Sequence, residues 1–236
     1  MSFYQDLTNY YDRIFPLNQV ALSFISHYVH EGDSVLDMGA GTGNMAIALA
    51  EKGLEVTASE PEETMAATIQ KKSAEKGLSL SVETKSMEQI GEFQDSFKAI
   101  ICVGNTLPHL PNEEAVVSFL RQCSMKLKQG GVLIIQQVNF DKVLAKDHFA
   151  FPIIEKEDFI FTRHYQKEGD HILFTSKLTV NGKTTENTIP LYPLQSQQLT
   201  ALLTEAGFQS VERFGNFKGE RYTIDSPALI VTAKRW

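Results

Sequence analysis

The nine residues from Val35 to Gly43, V-L-D-M-G-A-G-T-G, constrain the fold of this 236-residue chain more than any other stretch. Ser34 to Met38 is short, apolar and β-branched at Val35, as a buried strand is, and an Ala-rich helical pattern runs from Met45 to about Glu51. Gly39, Gly41 and Gly43 therefore occupy a strand-to-helix turn, where the missing side chains let the backbone bend sharply and let a ligand approach it. Such a turn opens a doubly wound sheet, with the ligand expected at the carboxyl ends of the strands.

The spacing narrows the ligand. Dinucleotide-binding turns read G-x-G-x-x-G, whereas here the third glycine falls one position early and Asn44 stands in its place. Asp37, directly before the turn, would repel a pyrophosphate but favours positive charge, as in the ammonium and sulfonium groups of S-adenosylmethionine. A second strand ends at Ser59, and Glu60, 23 positions after Asp37, can accept both hydroxyls of a ribose.

At these residues the chain resembles the class I S-adenosylmethionine-dependent methyltransferases, whose first motif matches D-M-G-A-G-T-G at 37–43 and whose acidic ribose position matches Glu60. The resemblance implies that Gly39 and Gly41 line the methionine part of the cofactor and that Glu60 holds the ribose. Asp37, Ala40, Gly43 and Pro61 join the same cofactor-binding set, as do Val103 and Gly104 at the end of the fourth strand. K-S-M-E at 85–88 takes the place of the family's adenine-flanking residues, with Ser86 and Met87 as contacts, although the Asp that many relatives carry there is absent.

Elsewhere strands alternate with helices. Helical patterns cover Leu17–Val29, Met45–Glu51, Glu62–Lys76, Glu113–Leu127 and Ser196–Ala206; strand patterns cover Ser34–Met38, Glu55–Ser59, Leu80–Glu83, Phe97–Val103 and Val132–Val138. Gly77, the Gly130–Gly131 pair and Gly207 stand where helices should stop, and Pro61 and Pro111 where they should start. Ser210–Phe214 and Ala228–Ala233 complete, by the resemblance, a seven-stranded Rossmann-like α/β sheet that is mostly parallel with an antiparallel last strand. One domain over 1–236 is expected, with an antiparallel β insertion over 149–192 after strand five; by the resemblance 1–30 forms an N-terminal helical lid and the insertion caps the substrate pocket, the alternative being a sheet extension that touches no substrate. Within it Phe159–Tyr165 and Ile172–Val180 alternate, and Asn181-Gly182 signals a hairpin before Thr184–Ile189.

Period-two alternation puts Phe159, Phe161, Arg163 and Tyr165 on one face of that insertion. Arg163 can clamp a substrate carboxylate through its planar fork with Tyr165 beside it, or simply stack on Phe161 at the surface. The fourth strand ends in C-V-G-N-T-L-P-H-L at 102–110, which places Asn105 and His109 beside the transferred methyl group. This loop resembles that of small-molecule N- and O-methyltransferases related to glycine N-methyltransferase, and lacks both the N-P-P-Y of amino-directed DNA enzymes and the Pro-Cys pair of cytosine-C5 chemistry. His109 is the best-placed general base; its bland alternative is a helix-entry residue bonded to backbone. Asn105 can orient the acceptor or the methionyl amine. By the resemblance, Y-Y-D at 10–12 belongs to a lid in which Tyr11 reaches the methionyl carboxylate or substrate, with Tyr10 and Arg13 nearby. The same helix also carries an ordinary packing stripe of Leu7, Tyr10, Tyr11 and Ile14.

A formal net charge of -7 argues against a nucleic-acid surface. Cys102 and Cys123 have no metal-ligand or redox spacing, and the N-terminus carries no secretory pattern, so a reducing cytoplasmic setting is expected. No apolar run reaches the roughly 18 residues of a membrane span. The histidines suit no metal cage, and no catalytic metal is expected. The expected function is methyl transfer to nitrogen or oxygen of a small molecule by a monomer or homodimer. A noncatalytic S-adenosylmethionine-binding module and an NAD-dependent oxidoreductase are the alternatives.

Overall fold

The computed structural model describes residues 3–146 and 148–236; the first two residues of the expected lid lie outside them. The chain runs α1 (Phe3–Ile14), α2 (Gln19–Ile25), β1 (Ser34–Met38), α3 (Asn44–Ala50), β2 (Glu55–Ser59), α4 (Glu63–Glu75), β3 (Ser81–Glu83), β4 (Phe97–Cys102), α5 (Glu113–Lys126) and β5 (Leu127–Val138). Then follow α6 (Phe140–Leu144), β6 (His148–Ala150), β7 (Ile154–Glu155), β8 (Phe159–Glu168), β9 (His171–Val180), β10 (Lys183–Leu191), α7 (Ser196–Glu205), β11 (Gln209–Phe214) and β12 (Ala228–Lys234). Short 3-10 turns at Met87–Glu92 and Leu107–His109 lead away from β3 and β4.

Seven strands form one sheet in the order β11-β12-β5-β4-β1-β2-β3, in which β1 to β5 are parallel while β12 is antiparallel to β5 and to β11. Its two faces carry separate cores, fed by alternate residues. Leu36, Met38, Ile100 and Cys102 pack under α5 and α7, while Val35, Ala99 and Ile101 pack under α2 and α3. Burial on both faces explains why these strands read as continuous apolar runs instead of alternating ones.

The expected antiparallel insertion is a second sheet, in the order β10-β9-β8-β6 with β7 also on β8. Asn181 (φ 50) and Gly182 (φ 76) make the left-handed turn between β9 and β10 that the Asn-Gly pair announces. Three boundaries depart from the sequence reading. The helix expected from Leu17 to Val29 is confined to Gln19–Ile25, because the Asn18 side chain accepts from the amides of Val20 and Ala21 and caps it there. The Gly130–Gly131 pair does not stop α5; it lies inside β5, where the β4–β5 register breaks between Phe97 and Ala99 and Gly130 takes φ 68. The short α6, capped by the Asn139 side chain on the amide of Lys142, had no sequence counterpart.

Helix α1 lies between α4 and the second sheet, with Leu7 and Ile14 buried against Met65, Phe159, Phe161 and Leu178. Polar ties fix its position. Arg13 donates to both carboxylate oxygens of Asp158 (2.6 and 2.7 Å), and Asp12 accepts from Thr42, from Asn44 (2.9 Å) and from the ammonium of Lys72 (2.8 Å). No helix of the described residues is long and apolar enough to cross a membrane.

Candidate active site

A cavity of about 560 Å³ opens over the carboxyl ends of β1, β2 and β4 and is roofed by α1 and the second sheet. Its floor is the glycine turn. Gly39 (φ 74) and Gly41 (φ 59) adopt left-handed backbone, and a side chain on either would collide, at Gly39 with Thr106 and at Gly41 with the ring of Tyr11, about 3 Å away. The amides of Gly39 and Ala40 donate to the carbonyl of Ser59 (2.8 and 3.0 Å), which ties the turn to the end of β2.

Glu60 leaves that strand end and is buried at the cavity wall. One carboxylate oxygen accepts from the Gly41 amide (2.8 Å) and the other from the Glu62 amide (3.1 Å), so the group is held in one orientation with lone pairs to spare. Burial raises its pKa, against the pull of those two amides. Pro61, Ser86 and Met87 line the same end, as do Glu62, Lys85 and Glu88. The Lys85 ammonium is already paired with Glu83 (3.0 Å) and lies over the Phe93 ring.

The loop after β4 forms the far side. Gly104 (φ 80) donates to the Gln136 side chain (2.7 Å), and Asn105 takes the left-handed φ of 67. The Asn105 carboxamide is spent internally: its oxygen accepts from the Val138 amide (2.9 Å) and its nitrogen donates to the Tyr165 hydroxyl (3.1 Å). It therefore links the parallel sheet to the insertion and positions Tyr165, whose acidity burial suppresses. The His109 ring is exposed at the cavity wall, and no side-chain hydrogen bond fixes it among the described residues. Desolvation by its neighbours lowers its pKa from the ordinary 6.5, which keeps it neutral at pH 7.

Arg163 and Tyr165 enter the cavity from β8, on the face expected. The Arg163 guanidinium is ringed by Phe151 (4.8 Å from its carbon to the ring centroid), Phe15 (5.4 Å) and Phe161 (5.7 Å). Tyr11 is at the cavity as well, tilted on Phe15.

Five expected contacts are not on the wall. Asp37 is buried behind the turn, where desolvation and the charge of Glu60 raise its pKa to about 7 and one carboxylate oxygen has no hydrogen-bond partner. Ala40 and Val103 face the core beneath the sheet. Gly43 caps α3 at φ 81, and its bare Cα makes room for Ile69 of α4. Tyr10 turns away from the site and packs edge-on against Phe159, 5.2 Å between centroids. Conversely, Phe15, Phe151, Phe174, Ser176, Asn187 and Ile189 line the cavity without having been singled out. The β9 pair, Phe174 and Ser176, shares the alternation already visible in Ile172–Val180; Phe15 and Phe151 stand outside any strand pattern.

This end of the cavity fits an adenosine-bearing cation: an anchored carboxylate for a ribose, a backbone stripped of side chains, and acids at Glu60, Glu62 and Glu88. Among the described residues no cluster of His, Cys, Asp and Glu could hold a metal ion.

Comparison with known proteins agrees. A solved S-adenosylmethionine-dependent methyltransferase from Clostridium acetobutylicum ATCC 824 superposes with a TM-score of 0.85 over 99% of both chains at 16% identity, which speaks to the fold. In sequence, the chain is 31% identical over 205 residues to the glycine/sarcosine/dimethylglycine N-methyltransferase of Actinopolyspora halophila, covering 84% of this chain but only 35% of that protein. It is 27% identical over 212 residues to the glycine/sarcosine N-methyltransferase of Aphanothece halophytica, covering 86% of this chain and 76% of the relative. A methyltransferase-domain family model matches residues 35–131, the span that holds the glycine turn, Glu60 and the loop after β4. With the strand order and the Glu60–Gly41 clasp, these matches place the chain in the class I S-adenosylmethionine-dependent methyltransferases.

Proposed function

We propose that the chain moves a methyl group from S-adenosylmethionine to a nitrogen or oxygen of a small molecule held at the insertion-roofed end of the cavity. The observation that carries this reading is Glu60, oriented by the Gly41 and Glu62 amides at the mouth of a glycine turn that admits no side chain. When bound, S-adenosylmethionine supplies a methyl group already activated by its sulfonium. The chain's own task is then to align and to exclude water. Glu60 would hold the ribose, Ser86 and Met87 would flank the adenine, and Gly39, Gly41 and Gly104 would leave room for the methionine part, with Tyr11 covering it.

At the acceptor end, His109 is a neutral imidazole near the loop where the acceptor's proton must leave, and its depressed pKa suits it to take that proton at neutral pH. Arg163 and Tyr165 would hold the acceptor, the latter set by Asn105. Residues 1–30 act as a lid and 149–192 as a substrate cap; the latch from Asp12 to Lys72 and from Arg13 to Asp158 supports a lid that docks on both layers. Relatives such as those of Actinopolyspora halophila and Aphanothece halophytica bear names of glycine/sarcosine N-methyltransferases, and others are named ubiquinone biosynthesis O-methyltransferases, which favours a small-molecule acceptor over a nucleic acid. The acidic net charge of -7 points the same way, and the two buried, unpaired cysteines suit a reducing cytoplasm. A monomer or homodimer is the expected assembly.

A thermal-shift comparison tests the reading. S-adenosylhomocysteine at about 100 times its Kd adds roughly 2.7 kcal/mol, which for a chain of this size raises Tm by about 5–10 °C. NAD should leave Tm unmoved. Stabilisation by NAD alone, or by neither, would overturn the cofactor assignment.

A further inference from the structure

We propose, resting on the reading that this cavity holds S-adenosylmethionine, that the acceptor is a carboxylic acid with a flat or branched apolar body, its carboxylate on Arg163 and its body against Phe151, Phe174 and Ile189. The charge balance of the cavity is the starting point. The acids that line it, Glu60, Glu62 and Glu88, belong to the end where a cationic cofactor would compensate them, and Lys85 is paired with Glu83. Arg163 is left. Among the described residues its side chain has no hydrogen bond or ion pair, and its Nε is buried without a partner.

The three rings around the guanidinium hold it by their faces but offer no acceptor for its N–H groups. A half-buried cation with unspent donors is costly unless an anion completes it. A planar fork with no second Lys or Arg on that wall matches a carboxylate in two parallel hydrogen bonds, whereas a phosphate dianion would want further positive charge. Beyond the guanidinium the wall is mostly apolar, with Phe151, Phe161, Phe174, Ile189 and Val138, while Ser176 and Asn187, paired across β9 and β10 beside Arg163, add a polar strip. An acceptor as small as glycine would leave that wall in contact with water, so burial of apolar surface favours a larger acid.

The chain saturated with S-adenosylhomocysteine is titrated calorimetrically with benzoate, phenylacetate and 3-phenylpropionate, with their amides, and with acetate. At least one phenyl acid should bind about tenfold or more tighter than both its amide and acetate. Arg163→Leu should erase the gap between acid and amide, and Arg163→Lys should retain part of it, while the Kd for S-adenosylhomocysteine stays within about twofold. Equal binding of acids and amides, binding of neither, or a gap that survives Arg163→Leu would overturn the inference and leave the cofactor reading standing. A large loss of S-adenosylhomocysteine affinity in Arg163→Leu would overturn it too, by putting the guanidinium on the cofactor's own carboxylate. Failure of the unaltered chain to bind S-adenosylhomocysteine would remove the cofactor reading and this inference together.

Discussion

Asp37→Asn should make the chain more stable at alkaline pH while making it a poorer binder of a cationic cofactor. Asp37 is fully enclosed at the end of β1, one of its carboxylate oxygens lacks a partner, and its pKa rises from 3.8 to about 7, chiefly through desolvation and then through the charge of Glu60. A tenfold change in protonation equilibrium is about 1.4 kcal/mol, so full ionisation of this carboxyl costs the folded state on the order of 4 kcal/mol. The sign follows from proton counting. Between pH 3.8 and about 7 the folded chain binds a proton that the unfolded chain has released, so stability falls as pH rises through this window and levels off above it. From pH 5 to 8 the contribution of this group declines by about 2–3 kcal/mol. Asparagine keeps the shape and carries no charge. Urea unfolding of both proteins without cofactor at pH 5 and pH 8 should therefore show the unaltered chain losing about 2–3 kcal/mol more than Asp37→Asn between the two. Parallel losses would refute the burial argument. At pH 8, where Asp37 is ionised, the variant should also prefer S-adenosylmethionine over S-adenosylhomocysteine less strongly, because only the former carries a sulfonium for the carboxylate to favour.

Glu60→Gln presents an amide nitrogen to one of the two backbone N–H groups that now donate to the carboxylate, and loses a charged acceptor for the ribose; the Kd for S-adenosylhomocysteine should rise about 100-fold, and an unchanged isotherm would reject the ribose assignment. Gly39→Ala forces a side chain onto Thr106 at φ 74 and should cost about 1–3 kcal/mol in urea unfolding, unless the loop after β4 moves away freely. Tyr165→Phe strands the Asn105 amide in a half-buried site, worth about 1–2 kcal/mol of stability; equal stability would show that Asn105 finds another acceptor. In the unaltered chain, turnover should fall as pH drops below the depressed pKa of His109, that is, somewhere below 6.5. His109→Gln should lose that acid limb, and a retained limb would assign the proton to another group.

How much of this was legible in the sequence depends on how local each feature is. The glycine turn and the Asn181-Gly182 hairpin are set by φ/ψ demands that a few neighbouring residues satisfy, and they follow from spacing; Glu60 likewise falls directly after β2, where the count from Asp37 put it. The face of β8 that carries Phe161, Arg163 and Tyr165 followed from the period of two. Spacing does not reveal depth, however. Asp37 sits at the cofactor turn in sequence but behind it in space, because a strand buried on both faces hides even its last turn-proximal acid. Nor does a pattern predict partners far along the chain: the Asn105–Tyr165 bond spans 60 residues, and Phe15 and Phe151 meet at Arg163 from a helix end and a loop. Tyr10, next to Tyr11, points elsewhere because successive helical residues diverge by about 100°.

The two ends of the cavity thus have different origins. On the proposed reading the cofactor end is built mainly from consecutive βα turns within residues 35–88, joined by Gly104 from the loop after β4 and Tyr11 from α1. The proposed acceptor end is assembled by packing α1 and a separate five-stranded sheet onto the loop after β4, so apart from the left-handed Asn105 its side chains answer to tertiary contacts more than to local backbone requirements. Substitution at the first end meets steric and left-handed backbone constraints, as at Gly39 and Gly41. At the second end, Phe151, Phe174 or Ile189 can change size while the sheet hydrogen bonds persist. Cofactor use in such a fold is therefore readable from a motif, whereas acceptor preference has to be read from the charge and shape that the insertion presents, which on the proposed reading means Arg163 among its rings.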